Sequence, residues 1–308
     1  MEILLQLILL VLGFAMLGRG ADWFVEGAAG IASRFGISQL VIGLTIVAMG
    51  TSAPEAAVSI AASFSGSAGI TVGNIVGSNI MNILVILGLT AVLKALPVEK
   101  GTIRVELPFV IGITVLLYVL GLDGVLSFTD GLILIGCFIA YLLYLYRCAV
   151  MSLDLEEDDV HGNTLWHDLV WTAAGAGLIL WGSNVTVDAA VAIAKFLGWS
   201  DRIIGLTIVA LGTSLPELFT SVTAARKGNV AIAIGNIVGS NIFNILFVVG
   251  TSSLLIPIPF AKEFTMDMYW CIGAAVALLG LILPTGRLER WGGAAMLAAY
   301  SCYLYMMW

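Results

Sequence analysis

Apolar residues fall in long blocks along the chain, separated by short breaks that carry Gly, Pro or charge. The blocks predict ten helices, at residues 3–32, 38–64, 68–93, 105–121, 127–147, 165–195, 200–225, 229–254, 267–284 and 290–307. Crossing a hydrocarbon layer about 30 Å thick takes about 20 residues, and most of the blocks reach that length. The first and sixth are longer, which predicts tilted helices. The polar stretches between blocks are too short to fold as soluble domains. The expected fold class is all-α and integral to the membrane.

Composition narrows this further. Only 11% of the residues are charged and 60% are hydrophobic, with a mean hydropathy of +1.06. Soluble domains carry about 25% charged residues, so a water-soluble globule is excluded. A net charge of −7 excludes a nucleic-acid partner. Much of that charge is one cluster, Asp154, Glu156, Glu157, Asp158 and Asp159, which reads as a solvated loop and lacks the spacing of an EF-hand. The cysteines Cys137, Cys148, Cys271 and Cys302 have no paired spacing and read as small buried apolar residues. The apolar start has no basic flank or small-residue cleavage site, so it reads as a retained first helix.

Lys and Arg set the expected orientation. With the N-terminus outside, the inner connections hold Arg34, Lys94, Lys100, Arg104, Arg147, Arg226, Lys227, Arg287 and Arg290. The outer ones hold Lys195, Arg202 and Lys262. Both termini are therefore expected outside, with the acidic loop in the cytoplasm. The lean loops point to the inner membrane of a prokaryotic cell.

The chain also repeats itself. Residues 38–90 align with 200–252 without a gap, at an offset of 162 (217 minus 55), and 29 of 53 positions are identical. That density marks a duplication. The blocks read GLTIVAMGTSAPE and GLTIVALGTSLPE, then GNIVGSNIMNIL and GNIVGSNIFNIL. The expected organisation is a five-helix repeat over 1–147, a short acidic loop over 148–164, and a second five-helix repeat over 165–308. Five spans are an odd number, so the second copy enters the membrane upside down. Inverted repeats are a signature of secondary transporters, with the site at the midplane between the copies.

Within the repeats, Glu55 and Glu217 fall mid-span with no Lys or Arg nearby in their own helices. An ionised carboxylate at that depth is costly unless it is paired, and a bound cation is the natural partner. Pro54 and Pro216 precede them, which frees backbone carbonyls around Ala48 to Gly50 and Ala210 to Gly212. Thr51 and Ser52 lie four and three residues before Glu55; Thr213 and Ser214 repeat the spacing before Glu217. Ser78 and Asn82 form a duplicated pair with Ser240 and Asn244. Taken singly, each of these polar residues fits interhelical hydrogen bonding. As a duplicated set around two carboxylates, they read as ligands. Gly50, Gly73, Gly77, Gly212, Gly235 and Gly239 read as packing and hinge positions.

All these candidate ligands are oxygens, which suit calcium or sodium, and no His or Cys accompanies them to suit zinc or copper. Two carboxylates match one Ca²⁺ or two Na⁺. Charge discourages both at once, and mutual exclusion at one site is what exchange requires.

These motifs resemble the two α-repeats of the cation/calcium exchanger superfamily, its prokaryotic sodium/calcium exchanger branch most closely. The α-repeats cover about a third of the chain, and the ten-span layout extends the likeness over nearly all of it. The resemblance implies that Glu55 and Glu217 are central cation ligands. It implies further ligands at Thr51, Ser52, Ser78, Asn82, Thr213, Ser214, Ser240 and Asn244, and at the backbone carbonyls of Ala48 and Ala210. It implies alternating access, with the first and sixth spans sliding across the other eight. Some relatives have Asp where this chain has Asn244, so the site here carries −2, and the likeness lends no support to potassium dependence. The sodium load implied by the family exceeds that charge, which makes transport electrogenic, and an inward sodium gradient makes calcium export the expected direction.

The nearest alternative is a proton/calcium antiporter using the same two glutamates. That branch usually lacks the Thr-Ser pair which both repeats keep here. An intramembrane enzyme is disfavoured, since HExxH, GxGD and GxSG motifs are absent and His161 and His167 lie in or beside the central loop. A channel is disfavoured because two inverted halves in one chain suffice for one closed site. For the same reason a monomer is expected to suffice for transport. No cofactor is expected.

Overall fold

The computed structural model describes residues 2–64, 69–152, 164–198 and 210–307. In hydrocarbon every backbone N–H and C=O must find a partner within the chain, and helices meet that demand locally. The described residues are accordingly almost all helical. The helices are α1 (Glu2–Arg34), α2 (Gln39–Thr51), α3 (Ala53–Phe64), α4 (Ile70–Leu93), α5 (Thr102–Asp123), α6 (Phe128–Ser152), α7 (Leu165–Phe196), α8 (Ala210–Thr213), α9 (Leu215–Lys227), α10 (Val230–Leu255), α11 (Phe264–Ile282) and α12 (Arg290–Met307). Seven of them are long and apolar enough to span a bilayer, and eight spans result if the bent pair α2–α3 is one. Two of the ten expected spans fall short for separate reasons. Residues 200–209, the front of the seventh, lie outside the described residues, and Arg290, the glycines and the tyrosines lower the mean hydropathy of α12.

The acidic cluster also lies outside the described residues. Helix α6 runs to Ser152, past the expected boundary at 147, because Cys148, Ala149, Val150 and Met151 continue its apolar run. No cysteine is in a disulfide; Cys271 is buried, but Cys302 is exposed, contrary to the sequence expectation.

Helices α4 and α10 form the centre: 78% and 94% of their apolar windows are buried, against 17% for α1. Outer faces carry bare apolar side chains such as Leu4, Ile8, Val11, Val119, Leu132, Ile139 and Leu143, as a lipid-facing surface requires. Each central helix contains a wide π-helical turn, Asn82–Leu87 in α4 and Asn244–Val249 in α10. Such turns are rare and favour functional sites.

The offset of 162 reappears in three dimensions. The two π-helical turns begin 162 residues apart (244 minus 82). Two short antiparallel pairings join Leu96 and Pro97 to Leu288 and Arg287, and Val125 and Leu126 to Pro259 and Ile258. Adding 162 to 96 gives 258, and to 126 gives 288, so each pairing is the counterpart of the other.

The long helices α1 and α7 lie antiparallel against each other. A side-chain atom at Gly20 would sit 2.8 Å from the Ile179 nitrogen and 3.0 Å from the Gly175 oxygen. One at Gly182 would sit 3.0 Å from the Gly13 oxygen and the Leu17 nitrogen. Only glycine permits this backbone-on-backbone seam. Arg34 and Asp168 form an ion pair at one end of it, at 3.6 Å.

Candidate cation site

The site begins at two broken helices. Helices α2 and α3 meet at Ser52 with a bend of 49°. Pro54 stands in the first turn of α3, where a half-helix tolerates the missing N–H. Ser214 makes the same break between α8 and α9, with Pro216 in the first turn. Each break puts a glutamate at the start of a half-helix, where the backbone N–H groups favour negative charge. Glu55 and Glu217 are each 1% exposed.

The two halves then reach for each other. Ser52 Oγ donates to Glu217 Oε1 at 2.8 Å, and Ser214 Oγ donates to Glu55 Oε1 at 3.4 Å. Thr213 also sits beside Glu55, and Thr51 and Ser240 beside Glu217. Asn82 Nδ2 donates to Asn241 Oδ1 at 3.0 Å, and Asn244 Nδ2 donates to Asn79 Oδ1 at 3.1 Å. The Asn79 and Asn241 amides donate to each other's backbone carbonyls at 3.2 and 3.5 Å. The serine–glutamate and asparagine hydrogen bonds each have a mirror at the offset of 162, as contacts across a two-fold relation do.

A second ring steadies the first. Asn74 Nδ2 donates to the Glu55 carbonyl at 3.4 Å and to Ser59 Oγ at 3.0 Å. Asn236 Nδ2 does the same for the Glu217 carbonyl and Ser221 Oγ, at 3.4 and 2.9 Å. Asn236 Oδ1 accepts from Thr51 Oγ1 at 2.9 Å. Of these residues, Asn74, Asn79, Asn236, Asn241, Ser59 and Ser221 were not among the sequence candidates. Their signal was present: both GNIVGSN blocks carry the asparagines.

Four oxygens at this centre are buried and have no hydrogen-bond partner: Glu55 Oε2, Glu217 Oε2, Asn82 Oδ1 and Asn244 Oδ1. All four are acceptors once the glutamates are ionised. Buried acceptors without donors are costly, so the set calls for protons or a cation. Among the described residues no three His, Cys, Asp or Glu side chains come together. The donor set is thus two carboxylates with amides and hydroxyls, a hard-oxygen environment.

The remaining sequence candidates are placed as follows. The Ala48 carbonyl, expected to be freed by the proline, takes the Ser52 N–H at 3.0 Å, Thr51 Oγ1 at 3.2 Å and Ser240 Oγ at 3.4 Å. The proline removes only the donor to the Gly50 carbonyl, four residues back. Ser78 is buried one turn before Asn82. Ala210 opens α8 at the edge of the described residues. Gly235 and Gly239 pack as expected, close against Gly43 and Leu44 of α2.

The sequence matches the sodium/calcium exchanger protein family over residues 5–147 and 167–308, nearly the whole chain. The chain belongs to this family. As a family member it is a cation/calcium exchanger, with Na⁺ and Ca²⁺ as the transported ions. Among similar proteins, the putative antiporter CaxA of Alkalimonas amylolytica is 39% identical, with 99% of each chain covered. The sodium/calcium exchanger MaX1 of Methanosarcina acetivorans is 33% identical, with the same coverage. A solved structure of the sodium-calcium exchanger NCX_Mj superposes with a TM-score of 0.87 at 34% identity, covering 99% of this chain and all of that one. This member of the family therefore shares the NCX_Mj fold over its full described length.

Proposed function

We propose that the chain is a secondary active antiporter that exchanges sodium for calcium by alternating access at the site between its two halves. The observation that carries this is the set of four buried, partnerless oxygens, contributed two by each half. Their charge of −2 suits Ca²⁺ or Na⁺ but penalises both together, and that competition couples the two fluxes. Glu55 and Glu217 are the central ligands, with Asn82, Asn244, Ser52, Ser214, Thr51, Thr213, Ser78 and Ser240 around them. The carbonyls of Ala48 and Ala210 complete the set, that of Ala48 exchanging a hydroxyl donor, Thr51 or Ser240, for the ion.

The architecture in this reading is ten spans in two inverted five-helix repeats, which the mirrored contacts support. Helices α1 and α7 are the moving pair, because their smooth glycine seam makes them one body. An inward sodium gradient drives calcium export across the inner membrane, with both termini outside, and a sodium load above the site's charge makes the exchange electrogenic.

The test is ⁴⁵Ca²⁺ uptake into proteoliposomes loaded with Na⁺, beside a set given only a pH gradient. Uptake that needs internal Na⁺ and disappears in Glu217→Gln is the expected result. Uptake driven by the pH gradient alone would move the chain to proton/calcium antiport at the same glutamates.

A further inference from the structure

The mirrored centre contrasts with an unmirrored feature beside it. Pro216 has no N–H, so the Gly212 carbonyl lacks its helical donor. Ser183 of α7 fills the gap: its hydroxyl donates to the Gly212 carbonyl at 2.7 Å. Ser183 is 3% exposed, and Val187, one turn on, lies directly against Gly212. In the other half Pro54 likewise takes the donor from the Gly50 carbonyl, but the counterpart of Ser183 is Ala21 (183 minus 162). Ala21 is fully buried and has no hydroxyl to give. What meets Gly50 is the Phe24 ring, 2.9 Å from where a side-chain atom there would sit.

The two corners lie on opposite sides of the midpoint of the antiparallel pair: Phe24 is level with Gly175, and Ser183 with the stretch from Gly13 to Leu17. Helix α2 follows the C-terminal end of α1, and α8 follows the C-terminal end of α7. A difference between them is a difference between the two membrane faces. We propose that Ser183 is a positioning residue that latches α7 to the cation site through the Gly212 carbonyl, whereas the α1 corner, which among the described residues holds an apolar ring contact and no such hydroxyl bond, is unlatched. The α7 corner then opens less readily than the α1 corner. This rests on the antiport reading for its transport consequences, but the latch itself is a property of the folded chain.

The apparent affinity at a face is reduced by the fraction of protein not open there. Losing one buried hydrogen bond shifts such a balance about fivefold. In proteoliposomes of sorted orientation, Ser183→Ala is expected to lower the Ca²⁺ KM about fivefold on the face where α7 ends and to raise it on the other. Ser183→Thr, which keeps the hydroxyl, restores the original ratio, and Ala21→Ser moves the ratio the opposite way. A residue that merely supports the fold changes the maximal rate on both faces alike. Hydrogen exchange of the ion-free protein reads the latch without transport: faster exchange at 210–217 in Ser183→Ala, and not in Ser183→Thr, is expected. Unchanged exchange there, or a KM ratio unmoved in a folded Ser183→Ala protein, overturns the proposal. Absence of sodium-dependent calcium flux in the unmodified protein would instead overturn the antiport reading, leaving the exchange result to decide the latch.

Discussion

The centre and the α1–α7 seam are built on opposite principles. The centre is tied by directional bonds: Ser52 to Glu217, Ser214 to Glu55, and four asparagines crossed between halves. The seam is two backbones laid together through Gly13, Gly20, Gly175 and Gly182, with an ion pair at one end. Directional bonds fix geometry, which a cation's ligands need. A glycine surface offers few ridges to interlock, which suits helices that shift as a unit. In the proposed mechanism the difference separates the part that selects from the part that moves.

Breaking the centre should cost most. Glu55→Gln or Glu217→Gln removes half the site's charge and is expected to lower sodium-driven calcium flux about 100-fold or more, since breaking a buried charge pairing costs ~3–5 kcal/mol. The protein should still fold, as judged by its elution profile and melting curve. Retained flux in either variant would remove the glutamates from the site.

Loading the seam should come next, and with a different signature. Gly182→Ala places an atom 2.8 Å from the Met16 side chain and 3.0 Å from the backbone of α1. Overpacking of that kind costs about 1–3 kcal/mol. Turnover is expected to fall roughly tenfold, while equilibrium calcium binding is nearly kept. If binding falls as far as turnover, the division between holding and moving parts is wrong.

Asn244→Ala sharpens the centre. It removes a partnerless oxygen and the 3.1 Å bond to Asn79. A loss of about tenfold in calcium affinity is expected, from ~1–3 kcal/mol for an unsatisfied buried partner. The smallest effect is expected from Asp168→Asn, which weakens the tie to Arg34 at the seam's end. Stability should fall by about 1 kcal/mol, read as a modest drop in melting temperature with the ion affinities unchanged.

How much of this was legible beforehand follows from how local each feature is. The spans and the 162-residue repeat are properties of the sequence itself, and Glu55 and Glu217 stand out because charge is rare at such depth. The partners of those glutamates are less legible. Ser52 is three residues before Glu55 in the chain yet bonds Glu217, because the two breaks face each other. Asn79 and Asn241 sit in the quoted motifs, but their crossed pairing exists only once the two copies face each other. The π-helical turns leave no propensity signal. The proline rule was applied too broadly, freeing the Gly50 and Gly212 carbonyls while Ala48 keeps its donors. For the seam, the signal in the sequence is the spacing of seven residues from Gly13 to Gly20 and from Gly175 to Gly182.

The central claim is that one set of buried oxygens holds either calcium or sodium. Equilibrium ⁴⁵Ca²⁺ binding to the purified protein, titrated with Na⁺, tests it most directly. The account predicts saturable calcium binding that sodium displaces competitively and that both Glu55→Gln and Glu217→Gln abolish. Calcium binding that persists under saturating sodium, or survives in both variants, would contradict it.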